Sequence, residues 1–164
     1  MGYRFSAREW IPGGLELSES IEMAKAIADA GADYLSVSCG CGGSITRIAP
    51  REEGAMTEDA AAVKKAVSIP VMCPNFQNPD VAAEAISGGS VDLVALSRAL
   101  LADSLWVQKV REERIEDIQP CVRCYLCFRY LNIDRLPIRC SVNPMLGFER
   151  FDPNCQPRPK QRSA

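Results

Sequence analysis

Four cysteines carry the clearest chemistry in this chain: Cys121, Cys124, Cys127 and Cys140, spaced C-V-R-C-Y-L-C with twelve further residues before the fourth. Two-residue gaps let three successive sulfurs point into one turn of backbone. A distant fourth then closes the cage from another segment, which is how thiolates hold an iron–sulfur cube. A zinc ribbon instead presents two separated C-x-x-C knuckles. Here the middle cysteine belongs to both steps, a pattern that suits [4Fe–4S] better. Zinc, and plain buried or disulfide-bonded thiols, are the alternatives. Arg123, Arg129, Arg135 and Arg139 surround these positions. They read either as guanidinium groups offsetting the negative charge of a thiolate-ligated cube or as ordinary surface charges.

There is no histidine. A Ser-His-Asp triad, His-based acid–base catalysis and His-ligated metal are therefore excluded within these residues. Cys39 and Cys41 lie in a Gly-rich loop, C-G-C-G-G-S, which reads more simply as a small-residue loop than as a redox or metal site. That loop does not have G-x-G-x-x-G spacing, so it is not read as a dinucleotide site. Cys73 reads as a buried thiol at a strand end.

The elements that must position these groups follow from periodicity. Gly2 to Phe5 reads as a short strand. Leu17, Ile21, Ala24 and Ile27 fall at helical spacing, with Gly31 as the stop. Tyr34 to Val37 is a buried strand, and Thr57 is expected to cap a second helix carrying Val63, Ala66 and Val67. Ile69 to Cys73 is a third strand. Asn78-Pro79 is a helix start, a cap followed by proline at the first helical position. The helix it opens, with Val81, Ala82, Ala85 and Ile86 as its apolar face, ends at Gly88-Gly89. Val91 to Leu96 is a fourth strand, and a last helical stretch from Arg98 to Arg111 is broken near Asp103.

This βαβαβαβα order predicts parallel strands with right-handed crossovers. Gly31 to Ser38 and Gly89 to Ser97 even follow one pattern: Gly, Asp, an apolar strand, then Ser. The expected fold class is α/β, as the carboxyl-terminal half of a TIM (β/α)8 barrel followed by a small Cys-rich [4Fe–4S] segment. A doubly wound open sheet is the rival. Two features favour the half barrel. The first strand begins at the initiator Met with no leading element, and polar groups collect at every strand's carboxyl end, the functional face of a barrel. The expected domains are a half barrel over 1–114, a cluster segment over 115–150, and a Pro-rich linker over 151–164 leading to a further domain.

Composition bounds the rest. The chain has 164 residues, 47% hydrophobic, with a net charge of −2, enough for one domain with a core and nothing that suggests nucleic acid. The short basic tail Arg158, Lys160, Arg162 reads as a solvated linker. No apolar run reaches membrane-spanning length, and the N-terminus has no signal-peptide h-region. Eight cysteines without a secretory signal point to a reducing cytoplasm.

Taken together, R-F-S-A-R-E-W-I-P-G-G, A-D-A-G-A-D-Y-L-S-V-S, S-I-P-V-M, V-D-L-V-A-L-S-R-A-L-L-A-D and I-Q-P-C-V-R-C-Y-L-C through R-C-S-V-N-P-M-L-G-F-E cover most of residues 1–150. They resemble the carboxyl half of the flavin barrel in the old yellow enzyme superfamily. The likeness is to its iron–sulfur branch, which holds 2,4-dienoyl-CoA reductase, trimethylamine dehydrogenase and the anaerobic enoate or bile-acid reductases. The resemblance implies FMN and a [4Fe–4S] cluster here, with FAD and NAD(P)H in domains elsewhere. It implies that Arg4 contacts the flavin ring, that Ser97 and Arg98 hold the FMN phosphate, and that Asn75 and Phe76 form a phosphate-side turn. It also implies that Cys121, Cys124, Cys127 and Cys140 are the cluster ligands.

The sequence departs from those relatives in having Gly42-Gly43-Ser44 where the dienoyl-CoA reductase group carries a His. The Cys73-Pro74-Asn75-Phe76 turn is also altered. The implied function is reduction of activated C=C bonds in enoyl- or dienoyl-CoA or enone substrates. Alternatives are an amine dehydrogenase type that passes electrons to an electron-transfer flavoprotein, an inactive electron-transfer or assembly subunit, and a structural zinc module. The expected partners are a small-molecule substrate, an amino-terminal half barrel supplied elsewhere, and a second copy of the chain.

Overall fold

The computed structural model describes residues 1–40 and 49–151. The Cys41 to Ser44 part of the Gly-rich loop and the tail from 152 onward lie outside them. The described strands are β1 (Gly2–Ser6), β2 (Tyr34–Ser38), β3 (Val71–Pro74) and β4 (Leu93–Ala95). All neighbouring pairs are parallel, in the order β1-β2-β3-β4. A doubly wound sheet reverses its strand order at a switch point. This one advances in a single direction, as successive right-handed βα units do when each lays its strand beside the last.

The helices are α1 (Leu17–Asp29), α2 (Thr57–Ala66), α3 (Pro79–Ser87), α4 (Arg98–Ala102) and α5 (Trp106–Arg111). Glu16 and Glu19 form a reciprocal capping box at the start of α1. Asn78 caps α3 as its type predicts, its side chain accepting from the Asp80 N–H at 2.9 Å, with Pro79 in the first turn. Asn78→Ala is expected to cost about 1 kcal/mol, read by chemical denaturation of the whole chain.

Thr57 departs from expectation. Met56 is the residue before α2, and no side chain caps it. Thr57 is instead the first residue inside the helix, one position past the cap. β3 starts two residues later than its apolar run, because Pro70 has no N–H to give a ladder. β4 is trimmed because the Asp92 carboxylate accepts from the Val71 N–H at 2.9 Å and pairs with Lys64 at 2.9 Å.

The core lies between one face of the sheet and α1 to α3. Leu35, Val37, Val71 and Cys73 point into it and meet Ala24, Ala60, Val63 and Ala82. Strand periodicity sends the alternate residues to the opposite face. The register aligns Arg4, Ser36, Met72 and Leu93 in one row there. That face is open: Tyr34 is 38% and Leu93 41% exposed. Among the described residues the outer edges of β1 and β4 have no strand partner. Parallel sheets are normally covered on both faces and edge-paired.

A 3-10 turn at Ile115–Asp117 leads out of the α/β unit. The cysteine segment follows, with a helical turn at Leu126–Phe128 continuing into a π-helical stretch at Arg129–Ile133. Asp103 ties it back. Its carboxylate, 6% exposed, accepts from Leu105 N–H at 3.0 Å and Gln119 N–H at 2.9 Å and pairs with Lys109 at 2.6 Å.

Candidate cofactor site and cysteine cleft

Parallel strands gather the polar groups of their carboxyl ends at one end of the sheet. A cavity of about 300 Å³ opens there. Arg4 from β1, Asn75 and Phe76 after β3, and Ser97 and Arg98 after β4 all line it. Cys121 and Cys127 line the same cavity from the other side. Five residues from three βα units thus share one space, and two of the four cysteines border it.

Arg4 is exposed and has no hydrogen-bond or ion-pair partner among the described residues. A cation left free at a strand end is available to a ligand's negative charge. Arg98 is engaged. Its guanidinium donates to Asn75 Oδ1 at 2.6 Å, Pro50 O at 3.2 Å and Ala49 O at 3.4 Å. These bonds fix its plane and leave its remaining donors for an anion. Asn75 also donates to the Glu52 carbonyl. It sits at φ 80°, a left-handed conformation that asparagine tolerates better than most residues. Phe76 is buried and forms an apolar wall. Ser97 precedes α4, and its side chain makes no cap bond.

All four cysteines, with Tyr125, Ser141 and Arg98, line a second, smaller cleft. The two spaces share Arg98, Leu101, Cys121, Tyr125 and Cys127 as a common wall. The Arg123 N–H donates to Cys121 Sγ at 3.4 Å. Cys124 Sγ lies 3.1 Å from the Ser141 hydroxyl. That hydroxyl, with the Leu126 N–H, holds the Cys124 thiol below the usual cysteine range. Burial pushes the Cys127 thiol up, and the sulfurs of Cys121, Cys140 and Cys124 add to the effect. All four cysteines thus face one cleft. Among the described residues no three Cys, Asp or Glu side chains are arranged to hold a metal ion.

The two other described thiols, Cys39 and Cys73, are core residues. Burial pushes Cys39 up to about 11 and Cys73 up to about 12, so both stay protonated at neutral pH and are poor nucleophiles. The arginines near the cysteines mostly have other partners. Arg123 is 3.8 Å from Glu53, Arg129 pairs with Asp134 at 3.1 Å, and Arg139 stacks 3.9 Å from the Phe148 ring centroid.

Several working residues gave no local signal in the sequence. Glu53 accepts from the Gln77 and Asn78 N–H groups, both at 2.6 Å, and so holds the turn after β3. Trp106 Nε1 donates to Gln77 O at 2.8 Å. Tyr125 donates to Ala49 O at 2.8 Å. Each partner is more than twenty residues away in sequence, beyond the reach of periodicity or capping rules. Tyr125 is marked in the sequence only by its place between Cys124 and Cys127.

The singly wound parallel sheet with a polar cavity at its strand ends defines a cofactor-binding α/β protein. The chain belongs to the NADH:flavin oxidoreductase / NADH oxidase family, whose model matches residues 1–117. It is similar to an NADH oxidase of Thermoanaerobacter brockii, 36% identical over 154 residues, which cover 91% of this chain and 24% of that protein. Its fold is similar to that of a 2-naphthoyl-CoA reductase in complex with 2-naphthoyl-CoA, with a TM-score of 0.81 and 33% identity. That match covers 92% of this chain and 23% of the other. It is also similar to histamine dehydrogenase from Rhizobium sp. 4-9, with a TM-score of 0.78 and 29% identity over 90% of this chain and 22% of the other. The chain thus spans about a quarter of the length of the relatives it matches. No described helix is long and apolar enough to cross a membrane.

Proposed function

We propose that the chain is the carboxyl half of an FMN-binding (β/α)8 barrel with a [4Fe–4S] segment. It would be part of a cytoplasmic oxidoreductase that reduces activated C=C bonds of enoyl- or dienoyl-CoA or enone substrates. The observation that carries this reading is the shared wall. The cavity lined by Arg4, Asn75, Phe76, Ser97 and Arg98 is bordered by Cys121 and Cys127. A flavin site and a set of sulfur ligands would then be in contact, as one-electron transfer between them needs. Family membership supports the FMN. The all-cysteine donor set, with the Ser141 hydroxyl and the Arg123 N–H beside sulfur, and the two-residue gaps that share the middle cysteine support a cube over one ion.

When bound, FMN would exchange electron pairs with substrate and the cluster would relay single electrons to or from it. The chain's own residues do the positioning. Arg4, exposed at the cavity, would offer its positive charge to the negative charge that a reduced flavin ring gathers. Arg98, held flat by Asn75 and two carbonyls, and the backbone after Ser97 would take the phosphate. Phe76 keeps water from one side of the cavity. With no histidine in the chain, protonation of the substrate carbon falls to another group.

The open sheet face and the unpaired edges of β1 and β4 support an amino-terminal half barrel as the partner that completes the fold. FAD and NAD(P)H would bind in further domains beyond a linker at 151–164. Likeness to histamine dehydrogenase favours a second reading, in which electrons leave a small amine substrate for FMN, the cluster and then an electron-transfer flavoprotein.

The test is anaerobic preparation of the enzyme that contains this chain, with iron, acid-labile sulfide and flavin assays. About four irons and four sulfides per chain, with FMN, are expected. Zinc without sulfide would overturn the reading. Adding NADH and an enone, or an amine and an electron acceptor, then separates the two directions of electron flow.

A further inference from the structure

One short segment contacts both the cofactor cavity and the cysteine segment. Residues 49–53 touch the cofactor cavity on one side and the cysteine segment on the other. Towards the cavity, the carbonyls of Ala49 and Pro50 accept from Arg98, and Glu53 holds the Gln77 and Asn78 amides of the turn that carries Asn75. Towards the cysteines, the Ala49 carbonyl accepts from the Tyr125 hydroxyl, and Glu53 lies 3.8 Å from Arg123, whose side chain is 12% exposed. Tyr125 itself contacts two guanidinium groups. Arg51 is 5.6 Å and Arg98 5.9 Å from its ring centroid, both within cation–π range. Arg123 and Tyr125 also hold left-handed backbone, φ 53° and 60°, on either side of Cys124. Conformations of that kind persist only where surrounding contacts hold them, and ligation of the neighbouring sulfurs would hold them further.

We propose that Tyr125 is a positioning residue that, with the segment 49–53, makes the anion-ready geometry of Arg98 and Asn75 depend on whether the cysteine segment is ligated. This rests on the reading of the four cysteines as a cluster site. With the sulfurs ligated, the backbone around Cys124 is fixed and the Tyr125 ring is held against Arg98 and Arg51. Its hydroxyl pins the Ala49 carbonyl that orients Arg98. With the sulfurs free, that anchor loosens, and so do Arg98 and the turn bearing Asn75. Linkage requires the reverse effect as well: an anion held by Arg98 strengthens ligation at the cysteines by the same factor.

The test is amide hydrogen exchange read by mass spectrometry on the full chain, before and after anaerobic loading with iron and sulfide. In the unsubstituted protein, loading is expected to slow exchange in the cysteine segment and also in 49–53 and 75–78, by on the order of tenfold. Tyr125→Leu should keep the protection at the cysteines and lose it at 49–53 and 75–78; Tyr125→Trp, which restores an aromatic face, should regain most of it. Arg51→Gln lies outside the cysteine segment and should weaken the transmitted protection without lowering iron content. It therefore serves as the deciding variant if Tyr125→Leu does not load. Iron retained with protection confined to the cysteine segment, or transmitted equally in the variants that load, overturns the proposal alone. Failure of the unsubstituted protein to take up iron and sulfide overturns the cluster reading, and this inference with it.

Discussion

Cys127→Ser is expected to remove essentially all bound iron and sulfide while leaving the α/β unit folded. Cys127 lines both clefts and is the thiol most affected by its three sulfur neighbours. A serine there offers a hard, protonated oxygen where a soft thiolate is required. The core, by contrast, is built from Phe5 through Val91 and contains no residue of the cysteine segment. Far-ultraviolet circular dichroism should therefore change little, while the visible absorbance of the cluster disappears. Cys124→Ser is the informative companion. Cys124 is exposed and already has the Ser141 hydroxyl beside it, so a partial, unstable cluster is the expected outcome there. Iron content unchanged in Cys127→Ser would remove that residue from the ligand set.

Asp103→Asn is expected to destabilise the chain by about 3 kcal/mol at neutral pH, because it leaves the Lys109 ammonium without its charge partner in a nearly buried site. The pH dependence follows from the same contacts. Burial alone pushes the Asp103 carboxyl up, but Lys109 and the N–H groups of Gln119 and Leu105 outweigh it and hold the group below the ordinary carboxylate range. A carboxyl depressed on folding contributes stability above its unfolded pKa. That contribution is lost as pH falls through the folded value. Urea denaturation from pH 7 down to about pH 3 should show the unsubstituted protein losing this increment below about pH 4, where the unfolded carboxyl titrates. Asp103→Asn should show a correspondingly flatter profile. A parallel profile in the two proteins would mean that the carboxylate does not anchor the segment. Since Gln119 precedes Pro120 and Cys121, the variant should also loosen the cysteine segment, seen as faster loss of iron to a chelator.

Much of the architecture was legible because it is local. Asn78-Pro79 specifies a helix start through bonds spanning two residues. Leu17, Ile21, Ala24 and Ile27 mark a helical face by spacing alone. Asp103 breaks the last helical stretch because its side chain bonds the Leu105 N–H, as a cap does. The spacing of Cys121, Cys124 and Cys127 and the total absence of histidine restrict the chemistry before any coordinate is known. Thr57 shows the limit of such reading: its type suits a cap, but the helix takes it in as its first residue and Met56 stands at the cap position.

The tertiary structure decided what depends on distance in space. It decided that the strands advance in one direction, since periodicity names a strand but not its neighbour. It brought Arg4, Asn75 and Arg98, up to 94 residues apart in the numbering, to one cavity. It set Cys121 and Cys127 on that cavity's wall and brought 49–53 against Arg98 on one side and Tyr125 on the other. Helix and strand signals arise from contacts a few residues apart and are written in composition and spacing. A shared wall arises from how whole βα units pack and register, and no window of sequence contains it.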